Sequence, residues 1–139
     1  MGLFLVFLSA SPAMAQFGYG EYGGATFINA INARTIVVDL PEYPALIGEN
    51  IKVRINGINT PDLKGKCKKE SELALEAKKF TEKTLKEAEL IDLTNMKRGT
   101  YFQIVADVLV NDEDFASQLV KKGYAVKSSK KKKSPNWCK

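Results

Sequence analysis

One stretch limits the fold more than any other: Ile51–Asp62, which reads Ile-Lys-Val-Arg-Ile-Asn-Gly-Ile-Asn-Thr-Pro-Asp. Its first half alternates, so Ile51, Val53 and Ile55 share one face and Lys52, Arg54 and Asn56 the other. That period of two is the pattern of a half-buried strand. Gly57 and Pro61 then stop the pairing and force a turn. Such a strand holds Arg54 on a rigid element and places Asn59, Thr60 and Asp62 at its mouth.

The flanking sequence extends the same architecture. The segments 25–31 and 34–40 read as two strands around Asn32-Ala33, a turn in which Asn tolerates a left-handed backbone. Pro41 and Pro44 break the chain before the central strand. From Glu70 to Ala88 the pattern turns helical, with Leu73, Ala77, Phe80, Thr84 and Ala88 on one stripe and a solvated Glu/Lys face elsewhere. Segments 90–97 and 101–110 read as strands joined at Arg98-Gly99-Thr100. A short helix then begins at Asp112–Asp114, buries Phe115, Leu119 and Val120, and is capped by Gly123. Residues 124–127 form a last short strand.

Composition narrows the chemistry. The chain has 139 residues, enough for a single core, and a formal net charge of +5. That excess favours a polyanion weakly and without sequence preference. There is no His, which excludes a His triad, a His general base and a His metal ligand, and two Cys do not make a structural zinc site. Any metal has to be a hard cation on oxygen ligands.

At the N-terminus an apolar run ends in Ala13-Met14-Ala15, a small-x-small triplet that predicts a signal peptide over 1–15, cleaved before Gln16. The run lacks a preceding Lys or Arg and is too short to span a bilayer. The protein is therefore expected to be exported, periplasmic or secreted, with no integral membrane contact. Residues 16–24 read as a flexible lead-in, 25–127 as the folded domain and 128–139 as a basic tail.

The strand-and-turn segment resembles the V-R-L-x-G-I-D-T-P-E motif of the thermonuclease (staphylococcal-nuclease-like) family, and the order of elements from 25 to 138 agrees with it. The resemblance implies an α+β, mainly β fold: a five-stranded OB-fold barrel with one long and one short helix. The family's long C-terminal helix has no counterpart in 127–139. It also implies calcium-dependent cleavage of nucleic acid, yet the residues at the matching places differ. Aligned through Thr35-Ile36, Arg34 stands where the family has its first calcium carboxylate, and Asn59 where it has the second. Asp62 replaces the longer Glu that acts near the attacking water. Thr60, a metal ligand through its carbonyl, is kept. Arg54 keeps one phosphate-binding Arg, and Gln103 replaces the other.

These replacements point one way. Calcium needs several oxygens and strong negative charge, whereas a guanidinium about 4 Å from a divalent cation repels it by roughly 8 kcal/mol at an effective dielectric of about 20. Gln103 cannot neutralise charge building on phosphate. The expectation is a catalytically impaired homologue with no calcium bound. Arg34 and Arg54 either form an anion pocket or, in a blander reading, Arg34 pairs with Asp62. Single-stranded DNA or RNA, another polyanion and a protein are the candidate partners. The rivals are an active calcium-dependent nuclease using displaced acids such as Asp39 or Asp107, and a protein-interaction module.

The two cysteines, in a chain read as exported, predict a Cys67–Cys138 disulfide, and periplasmic relatives with G-K-C and W-C at these places agree. It closes a loop of about 70 residues, worth on the order of 4 kcal/mol. Lys130–Lys133 reads as a solvated run, with a polyanion or anionic membrane contact as the alternative. Trp137 reads as an anchor for that tail, and the tyrosines are too scattered for a base-stacking platform.

Overall fold

The computed structural model describes residues 20–131 and 133–139. The expected signal peptide, its cleavage site, the first part of the lead-in and Lys132 lie outside them. The elements run β1 (Tyr22–Gly23), β2 (Thr26–Asn32), β3 (Thr35–Asp39), α1 (Ala45–Gly48), β4 (Ile51–Ile55) and β5 (Ile58–Asn59). They continue with α2 (Lys68–Glu87), β6 (Ile91–Arg98), β7 (Ile104–Val110), β8 (Glu113–Asp114), α3 (Phe115–Lys121) and β9 (Val126–Lys127). The fold is α+β and mainly strands, with the main sheet curled into a half-barrel. Its order is β1-β6-β7-β4-β3-β2, with β8 added to β7, while β5 and β9 form a separate pair. The five expected strands correspond to β2, β3, β4, β6 and β7.

Strand β4 lies at the centre because both neighbours need it. It pairs antiparallel with β3, setting Thr35 opposite Arg54, and parallel with β7, setting Val53 opposite Ile104. Its inward face is buried as the alternation requires, with Val53 and Ile55 excluded from water. The same core takes Ile36, Val38, Leu93 and Val108 from the neighbouring strands and Phe115 and Leu119 from α3. Phe115 stacks on Phe80 with ring centroids 6.1 Å apart, so α2 and α3 seal the core together. Burying a side chain such as Phe115 is worth about 2–3 kcal/mol.

Helix α2 is offset by one residue from the expected stripe. The residues it buries are Glu70, Ala74, Ala77, Thr81 and Leu85, while Leu73, Phe80 and Thr84 flank them half-buried. Small residues let the helix backbone approach the β2–β3 hairpin closely. There the hydroxyl of Thr81 donates to the carbonyl of Ala33 at 2.9 Å, which removes the cost of burying it. Gly123, at φ 78°, reverses the chain after α3.

Three further differences have local causes. The proline-rich break contains a short helix, α1, because the amides of Ile47 and Gly48 both fold back onto the carbonyl of Pro44. Residues 101–103 belong to a turn rather than a strand: Gly99 donates to the Gln103 carbonyl and Gln103 to the Thr100 carbonyl, so β7 starts at Ile104. The packed sheet also begins before Ala25. Tyr22 is buried, pairs opposite Leu93 and meets the Tyr43 ring at 5.6 Å.

The Cys67–Cys138 disulfide is present and joins residues 71 apart. Lys69 Nζ donates to the Lys139 carbonyl at 2.6 Å beside it, and Trp137 is partly buried. The tail is thereby fastened to the start of α2. Among the described residues no helix is long and apolar enough to cross a membrane.

Candidate functional site

The β2–β3 turn sets the first side chain. Asn32 Oδ1 accepts from the amides of Arg34 and Thr35 at 3.0 and 2.9 Å, closing the chain over Ala33-Arg34. Thr81 anchors the same turn from below through Ala33. Arg34 therefore projects from a turn held at both sides, towards the end of β4.

There it meets the strand that follows. Arg34 Nη1 donates to Asn59 Oδ1 at 2.9 Å and lies 3.5 Å from the Ile58 carbonyl. Asn59 is held in place because β5 pairs with β9, Asn59 opposite Val126. Burial is the main influence lowering the Arg34 pKa, and the neighbouring positive charge of Arg54 lowers it further, with Asp62 opposing. The guanidinium stays protonated in any ordinary buffer. Arg34, Arg54 and Asp62 are thus brought within electrostatic reach of one another.

Arg54 is half-buried and, among the described residues, its side chain makes no hydrogen bond or ion pair. Its charge acts on the Arg34 guanidinium, and two neighbouring guanidinium groups suit a phosphate or carboxylate. The blander expectation, an ion pair between Arg34 and Asp62, does not form; Lys68–Glu72 at 3.7 Å is a pair that does. Asp62 is exposed, and its carboxylate instead accepts from the Lys64 amide at 3.0 Å.

The loop carrying Asp62 rests on a residue whose role the sequence did not disclose. Glu70, 8% exposed, accepts from the Asp62 amide at 3.3 Å and from the Lys66 amide at 2.8 Å. A Cβ on Gly65 would come within 2.7 Å of the Glu70 side chain, so the loop can wrap it only with glycine there. In the sequence Glu70 is one acid among many on a Glu/Lys helix, and no periodicity marks it.

Gln103 is placed differently from Arg54. It lies just before β7 and lines a groove with Ile51, Phe102 and Ile104. The displaced acids are engaged elsewhere. Asp39 accepts from the Asn50 amide at 2.8 Å, at the far end of β3 from Arg34. Asp107 accepts from Asn56 and Asn95 at 3.0 and 2.7 Å.

The donor set does not fit calcium. Asn59 Oδ1, the oxygen that would ligate the ion, is already the acceptor of a cation, and Asp62 turns its carboxylate to its own loop. Among the described residues no three acids, Cys or His gather to hold a metal. Thr60 retains its carbonyl, which alone supplies too little charge.

A family model described as staphylococcal nuclease homologue matches residues 52–137, more than half of the chain. The match begins on β4, so the turn that carries Arg34 lies outside it. Comparison with curated proteins gives no match.

Proposed function

Since the chain belongs to the staphylococcal nuclease homologue family, we propose that it is an exported thermonuclease-like protein whose metal site has become an anion-binding site with little or no hydrolysis. The observation that carries this is the hydrogen bond from Arg34 to Asn59. A fixed positive group fills the place where the family chemistry needs concentrated negative charge. The unpartnered guanidinium of Arg54 beside it supports binding of a phosphate-bearing ligand, and single-stranded DNA or RNA fits the basic excess of the chain.

The residues present can bind and orient a phosphate, but they lack the groups to activate water beside it. Asp62 is a single exposed carboxylate with no metal site next to it, and Gln103 offers only a neutral amide to a developing charge. Binding without turnover is the expected outcome.

The test is cleavage of single-stranded DNA with calcium and with chelator, alongside oligonucleotide binding across salt concentrations. The proposal expects no calcium-dependent product, no heat of calcium binding, and oligonucleotide affinity that falls steeply with salt and falls again in Arg54→Ala. Calcium-dependent cleavage at the rate of an active nuclease overturns it. Restoring acids with R34D/N59D/D62E is expected to create a measurable calcium affinity where the parent has none.

A further inference from the structure

A second surface includes neither Arg34 nor Arg54, though Gln103 lines its groove. Leu46 is 94% exposed and Ile47 58%, both on α1; Tyr101 is 91% and Phe102 98% exposed, both on the β6–β7 turn. The two segments are neighbours, because Leu46, Ile47 and Phe102 line one groove of about 460 Å³. Lys97 and Arg98 belong to the same lining, which contains no carboxylate; the acids nearest in sequence, Glu42 and Glu49, flank α1 at its two ends.

The β6–β7 turn is built at a cost. Tyr101 and Phe102 have φ of 54° and 61°, a left-handed conformation that is unfavourable for bulky L-residues. The turn is closed by the Gly99 and Gln103 amides at 2.8 and 3.2 Å. Glycine or asparagine would serve such a turn better. Two aromatic rings are instead held outward in water, and strain of this kind concentrates at functional surfaces.

We propose that these two loop tips are a docking surface for an anionic lipid bilayer. Leu46, Tyr101 and Phe102 stand almost clear of the protein, a shape suited to entering a soft interface. Leu46 and Ile47 would enter the acyl boundary, while Tyr101 suits the headgroup level, where an amphipathic ring is most favoured. Lys97 supplies a charge complement to acidic headgroups. Nucleic acid fits only half of the patch: Tyr101 and Phe102 offer planes for bases to stack on, but Leu46 and Ile47 offer none. A peripheral contact of this kind needs no membrane-spanning helix.

The test uses the full chain with phosphatidylcholine vesicles, with and without roughly one third phosphatidylglycerol. Sedimentation is expected to show partition onto the anionic vesicles only, weakened by salt. In L46S/F102G it falls about a hundredfold, the scale of losing two inserted side chains. Both sites are exposed, so that variant is expected to melt no lower than the parent. Phe102→Trp provides a second reading: its emission shifts to the blue with anionic vesicles and not with neutral ones. The proposal fails if no partition occurs. It fails equally if partition is unchanged in L46S/F102G, which would assign it to the lysine tail or the apolar N-terminal run. Loss of oligonucleotide or protein binding in that variant, with vesicle binding intact, also overturns it.

Discussion

The Arg34–Asn59 corner and the Leu46–Phe102 edge are made by opposite means. At the corner, polar groups from distant parts of the chain are drawn half out of water and oriented by partners: Asn32 and Thr81 behind the turn, β9 behind Asn59, Glu70 under the Asp62 loop. At the edge, apolar groups from a short helix and a turn are left largely in water, and the turn is shaped by its own backbone geometry. The corner is therefore a property of the whole fold, and removing any support should loosen it. The edge is a property of ten or so residues, and can be rewritten without touching the core.

The largest expected effect comes from cutting the covalent support of the corner. C67S/C138S is expected to lose about 3–4 kcal/mol in denaturant unfolding. Anion affinity should fall with it, since Cys67 caps the helix turn that presents Glu70, while vesicle partition by the edge stays unchanged. Thr81→Val comes next. It leaves the Ala33 carbonyl without its donor, a loss of about 2 kcal/mol, and should also weaken anion binding, because Arg34 follows Ala33 directly.

Arg34→Ala is smaller and more specific, about tenfold in phosphate affinity by calorimetry, near 1.4 kcal/mol. Its stability effect carries a sign. A base with a lowered pKa is disfavoured in its charged form by the fold, so the charged Arg34 is a liability below its folded pKa. That liability lifts only as pH rises through that pKa, beyond the ordinary range. The difference in melting temperature between variant and parent should therefore stay flat from about pH 5 to pH 9. Smallest is Phe102→Gly, which relieves one left-handed residue and should raise stability by about 1 kcal/mol with no change in anion binding. A loss of stability there would mean that the edge is packed after all, and the comparison would not hold.

Much of this was legible beforehand, and the misses have physical reasons. Alternation in Ile51–Ile55 located the central strand, because the side-chain period of a strand survives in any context. The helix was found but its register was not: hydrophobicity favours Leu73 and Phe80, while close packing against the hairpin selects Ala74, Ala77 and Thr81. Glu70 was hidden because a buried carboxylate satisfied by backbone amides looks, in sequence, like any acid on a charged helix. Tyr101 and Phe102 read as the start of a strand, and only the hydrogen bonds of their turn placed them in solvent.

The amino-acid order alone settled that the chain has no imidazole anywhere and that it carries a guanidinium at Arg34 and an amide at Asn59. It could not say whether that guanidinium would meet the amide, the lone carboxylate or water. Arg34 and Asn59 are 25 residues apart, and contact between such groups depends on how β3 registers against β4 and how β5 finds β9. Pairing of that kind is decided between segments, so it exists only once the chain has folded.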